Sequence, residues 1–499
     1  MKISRRKFIG TSAVGLVSAS TVKSSEKQSK PIELCGPNDA KQFVFGSDPV
    51  RVRKSFYDLS EEELINLCKA VEFMRNKTPL ESPISWESYT RIHSKHCTAY
   101  DADHPQVHWG WHFLPWHRGY IFFLERLLAN SLKKMGIDGT KFAFPYWDWT
   151  SHPEMPNTKF RESKGLGSPL FGYDLTQQNM VNPDNLGFDN LALYNGNRAP
   201  TLEKNKMDPN NETQQDSKDH VQECLAFVSK QYVDLMLTTP WEQFGGKEGI
   251  DRKTGQGLLE SGAHNDVHDW VGTRYGCNRD MGTLRYAAQD PVFFMHHTNL
   301  DRIFSLYKNP MPDLNGPWGQ QRYVYPDLDG TPVSVSVKDI MLWTQTVSYQ
   351  QPQNTKVKLA PRSKISSVES ITVPIDKKTT AKSGLNFTLE PNQSLKGLIS
   401  SAAEGGISLL EIETGPISHK GRAVIKVYVG KTYIGRIKIL DGDPSTTNPE
   451  ASHTFSMTLG KLGNIATALP SINKFDINFF SYGIDNDVLI RNLKFTLIK

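Results

Sequence analysis

The sequence is short of cysteine, of excess charge and of long apolar runs, and each shortage removes a class of protein. Five cysteines in 499 residues, Cys35, Cys68, Cys97, Cys224 and Cys277, are too few and too scattered for a disulfide scaffold. None forms a Cys-x-x-Cys pair, which excludes a zinc ribbon. The formal net charge is +5, and Lys2, Arg5, Arg6 and Lys7 supply four of those charges, so only one is in excess elsewhere. A balance this close to neutral argues against nucleic acid as a partner, because a polyanionic backbone needs a basic face. The apolar run Phe8 to Ser20 is shorter than the about 20 residues that a bilayer requires, so no membrane span is expected. Internal repeats and low-complexity tracts are also missing.

What is present begins with Ser4-Arg5-Arg6-Lys7-Phe8, that short apolar run, and Val17-Ser18-Ala19. This is the pattern of a twin-arginine signal peptide with a small-residue cleavage site, and it predicts export after cytoplasmic folding, to the periplasm or the medium. A chain of this length exceeds one ordinary core and should divide. The expected division is a signal and linker over 1–30, a helical catalytic domain over 31–359, a Lys-rich linker over 360–382 and a β domain over 383–499. Ser60-Glu-Glu-Glu opens a helix with apolar residues at helical spacing from Leu64 to Met74, and Trp111 to Leu128 is apolar on all sides, as a core helix is. Residues 151 to 218 lose periodicity, helix resumes over Val221 to Leu237, and helical signal stops near Tyr307. Ile407 to Thr414, Arg422 to Val429, Tyr433 to Leu440 and Val488 to Ile498 show the period of half-buried strands, so a sandwich-like all-β domain is expected, with Ile371–Ile375 as a candidate edge strand.

Histidine carries the chemistry. Six of the fourteen fall between His93 and His117, namely His93, His96, His104, His108, His112 and His117, and four more are His264, His268, His296 and His297. His264 and His268 lie four apart, on one face of a helix, and the Asp290–Phe304 segment brings a third imidazole from His296 or His297. The clusters lack carboxylates at matching spacing, which favours an imidazole-only ligand set and copper or zinc over a di-iron site. Ligand chemistry leaves copper against zinc open, and also which three of the six early histidines bind.

His108-Trp-Gly-Trp-His-Phe-Leu-Pro-Trp-His117-Arg118, then Phe144-Pro-Tyr-Trp-Asp-Trp149, His264-xxx-His268 and Asp290-Pro-Val-Phe-Phe-Met-His-His297-xxx-Asp301-Arg302 resemble the type-3 copper family of tyrosinases, catechol oxidases and haemocyanins. Val52-Arg53-Lys54, Met281-Gly282 and a β domain containing Lys474-Phe475-Asp476 resemble its plant-type polyphenol oxidases in particular. The resemblance implies two copper ions, one on His96, His108 and His117 and the other on His264, His268 and His297, with the remaining histidines beside the site or solvated. It implies oxidation of o-diphenols to o-quinones by O2, with hydroxylation of monophenols. The alternatives are catechol or o-aminophenol oxidation without hydroxylation, and reversible O2 carriage as in haemocyanin.

Glu260 and Asn265 take the family positions that hold a proton-accepting water, and Leu284 takes the place of a bulky Phe over the second copper, which should leave a wider entrance. Asp301 is expected either to bond a ligand imidazole or Arg302, or to make a structural pairing at its helix end. The plant-type thioether cysteine is replaced by Tyr100 on this alignment, so no sulfur is expected on His108. Cys97 then matches a cysteine bonded to one near the N-terminus, here Cys35. The C-terminal domain is expected to cover the copper entrance and make the chain latent.

Overall fold

The computed structural model describes residues 40–46, 48–98, 107–152, 173–174, 179–180, 224–248, 253–274, 277–278, 280–342, 347–353, 358–361, 367–379, 385–389, 407–417, 419–429, 432–439, 452–458, 475–484 and 487–498. The signal peptide, Cys35, Tyr100, His104, His220 and most of the 151–218 excursion lie outside them.

Among the described residues, six helices of eight or more residues contribute to the core: α1 (Glu61–Glu72), α2 (Trp86–Thr98), α3 (Phe113–Lys134), α4 (Lys230–Leu237), α5 (Asn265–Gly272) and α6 (Pro291–Leu306). α1 starts where the sequence predicts, on a reciprocal cap in which Ser60 Oγ accepts from Glu63 N (3.2 Å) and Glu63 Oε2 accepts from Ser60 N (2.8 Å). α3 buries all sides of its first sixteen residues except Arg118, and it packs along α6. α6 starts sharply because Asp290 Oδ1 caps Val292 N at 2.9 Å and Pro291 stands at the first helical position.

A buried charge network fastens α3 to α6. Arg53 forks onto Glu125 of α3 through two bonds of 2.8 Å and reaches Asp301 of α6 at 2.8 Å, while Arg118 meets the other Asp301 oxygen at 2.5 Å. Burial alone would raise the Asp301 carboxyl, but Arg118 and Arg53 outweigh it and hold the group below its ordinary range. Of the two readings of Asp301, the bond to a ligand imidazole or Arg302 is corrected and the structural pairing stands, since its partners are Arg53, Arg118 and the Tyr349 hydroxyl. Arg302 turns to Asp148 at 3.0 Å instead, which supplies the acid of the Trp-Asp-Trp motif with its partner. Arg53 belongs to a short strand, Arg51–Arg53, that pairs in parallel with Val347–Tyr349.

The C-terminal strands are β2 (Val368–Thr379), β3 (Leu385–Leu389), β4 (Ile407–Thr414), β5 (His419–Val429), β6 (Thr432–Ile439), β7 (Ser452–Thr458), β8 (Phe475–Ile484) and β9 (Val488–Ile498). With β1 (Lys253–Gly255) they form a five-stranded sheet ordered β2-β9-β4-β7-β1 and a four-stranded sheet ordered β3-β8-β5-β6. Two findings adjust the expected boundaries. β2 runs through most of the expected linker, as an outer strand able to carry Pro374 because one of its edges has no strand partner among the described residues. β1, from the helical half of the chain, pairs in parallel with β7, so the β domain is seated on the helical core through its own sheet. Residues Ile32–Lys499 accordingly form one unit.

Candidate metal centre

The second histidine group is built on a change of helix type. Leu259–His264 is a π-helical turn, in which Asn265 N reaches back five residues to Glu260 O, and it runs directly into α5. His264 therefore ends the π turn and His268 lies one turn on, with His297 brought alongside by α6. His268 Nδ1 donates to Met281 O at 2.7 Å, and His264 Nδ1 to Asn265 Oδ1 at 2.9 Å, which fixes each ring and leaves Nε2 as the bare nitrogen. His268 Nε2 and His297 Nε2 stand 3.2 Å apart. Two nitrogens at about 2.0–2.1 Å from one tetrahedral ion would be about 3.3 Å apart, so this spacing suits a shared metal. His264 Nε2 is buried without a hydrogen-bond partner, as a ligand nitrogen should be. His296 lies in the same group, its ring 5.3 Å from His268, and its Nδ1 receives the Trp149 indole N–H at 3.3 Å.

The first group departs from expectation. His117 of α3 donates from Nδ1 to Phe113 O at 2.7 Å and leaves a buried, unpartnered Nε2, while its ring lies 4.3 Å from that of His297, nearly parallel. His108 lies 5.0 Å from His117 by ring centroid, and the third ring beside them is His93, 5.3 Å from His108 and 5.6 Å from His117. His96 packs on Trp116 at 5.1 Å. α2 directs positions 93 and 97 to one face and offsets position 96 by most of a quarter turn, so His93 replaces His96 as the geometric choice. Cys97 then falls in place too: its Sγ is 3.3 Å from His93 Nε2 and 3.2 Å from His108 Nδ1. The sequence reading concerned a thioether on His108; the structure adds a sulfur within hydrogen-bonding distance of both rings, and the helical spacing His93-xxx-Cys97 was the signal that could have shown it.

All these rings are kept neutral. Burial pushes His268 down to about 4, and burial with smaller contributions from neighbouring imidazoles pushes His117 to about 3 and holds His93, His108, His264 and His297 well below the usual range. The neutral imidazole is the metal-binding form. Phe113 lies 4.7 Å from His264 and Phe293 4.0 Å from His297, giving the site aromatic walls. Leu284 is buried in the core.

Glu260 and Asn265 are both buried beside His264, and a residue that sequence reading missed joins them. Gln256 Nε2 donates to Glu260 Oε1 at 3.3 Å, and Asn265 Nδ2 donates to Gln256 Oε1 at 3.2 Å. Glu260 Oε1 also accepts the Trp109 N–H at 2.7 Å. Trp109, directly after His108, has a left-handed φ of 70°, and its ring meets His453 and Phe455 of β7 at 5.3 and 5.2 Å. His453, expected in solvent, is buried there, and burial lowers its pKa to about 4. Of the other histidines, His112 Nδ1 bonds the Tyr323 hydroxyl at 2.6 Å and His152 stacks on Tyr57 at 3.9 Å.

Fold and site together define a dinuclear metalloprotein whose ions are held by imidazole between helices, with a β domain seated beside them. Residues 83–310 match the common central domain of tyrosinase and belong to that family, whose cofactor is a pair of copper ions. The chain is 30% identical over 365 residues to a chloroplastic polyphenol oxidase of Vitis vinifera, covering 67% of this chain and 55% of that one. It is 30% identical over 331 residues to aureusidin synthase of Antirrhinum majus, covering 62% and 54%, and 26% identical over 328 residues to a tyrosinase of Hahella sp. (strain CCB-MM4), covering 60% and 63%. The chain thus spans about half the length of the plant relatives it matches. Among solved structures, latent aurone synthase (a polyphenol oxidase) aligns with a TM-score of 0.60 at 21% identity over 92% of both chains. Latent apple tyrosinase aligns at 0.59 and 20%, over 92% of this chain and all of that one. These two likenesses concern the fold, a helical core with a C-terminal domain.

Proposed function

We propose that this protein is a copper-dependent phenol oxidase, exported by a twin-arginine signal, that converts o-diphenols to o-quinones with O2 and hydroxylates monophenols once its β domain is displaced. The observation that carries this reading is the facing of His93, His108 and His117 with His264, His268 and His297, all buried and neutral. Two copper ions held there would supply the binding and reduction of O2. The chain's own residues set the rest. Phe113 and Phe293 make the surroundings aromatic and dry. Glu260 and Asn265 stand beside His264, where a carboxylate can take the proton of a monophenol through a water that the amide helps to orient.

A second reading, diphenol oxidation alone, is favoured by Gln256, whose amide fills the space between Glu260 and Asn265. The test is turnover of 4-methylcatechol and tyramine by the copper-loaded chain before and after mild detergent or proteolysis near residues 360–367. The expected result is low activity that rises on opening, with tyramine accepted, and with Asn265→Gly losing far more tyramine than catechol turnover. Absence of tyramine turnover in the opened enzyme would select the second reading. No increase on opening would make the β domain structural.

A further inference from the structure

The contacts of β7 reach past the surface of the helical core and into the residues beside His264. Gln256 N donates to Thr454 O at 3.2 Å, one step beyond the pairing of Gly255 with Thr454. Ser261 Oγ, on the π turn, donates to Ser456 O at 2.9 Å, and Lys247 Nζ to Thr454 Oγ1 at 3.2 Å. On its other side the same segment packs closely on the helical core, since a Cβ on Gly257 would lie 2.2 Å from Phe244 O. Gln256 therefore lies between closely packed backbone and a strand that belongs to the β domain.

Its side chain completes a directional run of hydrogen bonds. His264 Nδ1 donates to Asn265 Oδ1, Asn265 Nδ2 to Gln256 Oε1, and Gln256 Nε2 to Glu260 Oε1. Every donor points towards Glu260, so the amide stands where a water would otherwise touch both Asn265 and the carboxylate. An amide cannot take a proton from a phenol at neutral pH, whereas a water bound to a carboxylate passes it on, leaving a phenolate and a protonated Glu260.

We infer that Gln256 is a positioning residue that sets the preference for diphenols over monophenols, and that β7 holds it in place. When β7 is docked, Gln256 excludes the proton-accepting water. When β7 is displaced, the backbone tether at Thr454 is lost, the side chain withdraws and water enters. The β domain then governs which phenols react as well as whether they reach the metals. This inference rests on the phenol-oxidase reading for its chemistry and on the hydrogen bonds alone for its tether.

Two variants of the full, copper-loaded chain separate the parts. Gln256→Ala opens the space, and Gln256→Met keeps it filled without hydrogen bonds. The ratio of tyramine kcat to 4-methylcatechol kcat should rise at least about fivefold in Gln256→Ala and stay near the wild-type value in Gln256→Met. Equal ratios in wild type and Gln256→Ala, or equal rises in both variants, would overturn the role. Deuterium exchange of the 253–264 peptide, which needs no turnover, reads the tether. Thr454→Pro, which disrupts β7 within the full chain, should accelerate that exchange at least about tenfold, and unchanged exchange would overturn the control by β7. A chain that oxidises no phenol yet shows the exchange response would sink the functional reading and the specificity claim while supporting the tether.

Discussion

The two halves of the metal centre hold equal numbers of candidate imidazoles but are specified in different ways. In the second half His264 and His268 sit one turn apart across the junction of a π turn with α5, and a neighbouring helix adds His297. Helical periodicity alone places the first two of these rings together. In the first half His93, His108 and His117 come from α2, α3 and the segment between them, so spacing along the chain does not say which histidine of a crowded helix end faces inwards. What decides is the direction of α2, and that is set by the packing of Trp86 on Phe294 and of Tyr89 on Tyr120, partners that lie on other helices. A metal site is legible where one helix carries it and ambiguous where tertiary packing assembles it.

The sharpest way to break this comparison is substitution of the two competing histidines. His93→Ala should lose one of two coppers and fall to background phenol oxidation, while His96→Ala should retain both coppers by metal analysis. The reverse result would restore the ligand set implied by resemblance and show that α2 is misdirected. A smaller effect is expected from the charge that joins the halves. Asp301→Ala leaves Arg53 and Arg118 short of their shared carboxylate and should cost about 3–5 kcal/mol in denaturant unfolding, with copper content unchanged. A loss confined to one copper would mean that the network serves one half only.

Acid should affect both halves alike, and less per group. His117 and His268 titrate near 3 and 4 in the folded chain against about 6.5 when unfolded. Between those values the unfolded chain binds more protons, so the metal-free protein should lose stability as pH falls below about 6.5, by up to about 1.4 kcal/mol per pH unit for each such histidine. His117→Gln and His268→Gln should each flatten the slope between pH 6 and 4.5 to a similar degree. A much larger change from one than from the other would mark the halves as unequally buried.

Much of the architecture was readable beforehand: the cap at Ser60, the fully buried α3, the end of α6 near Tyr307 and the strand-rich C-terminal region all follow from period and capping chemistry. The outer strand β2 was half visible, because Ile371 to Ile375 alternates while the lysines around it suggest a linker. Cys97 was read on an alignment that puts Tyr100 at the thioether position, although the turn from His93 to Cys97 carried the information that its sulfur stands beside His93 and His108. Gln256 offered only its position one turn before Glu260. Its importance comes from β7, two hundred residues away, and a contact of that range leaves no local periodicity.

The parallel pairing of Arg51–Arg53 with Val347–Tyr349 has a consequence for biosynthesis. Arg53 is buried with Glu125 on one side and the Tyr349 hydroxyl on the other, and Tyr349 follows it by 296 positions. At about 5–20 residues per second, a ribosome delivers that partner about 15–60 s after Arg53 itself. Until then the strand at the head of the helical core has an open edge and its guanidinium an incomplete shell. The helical core cannot finish folding on the nascent chain before the segment leading into the β domain has been made, so the order of synthesis places metal-ready structure and its cover within seconds of each other.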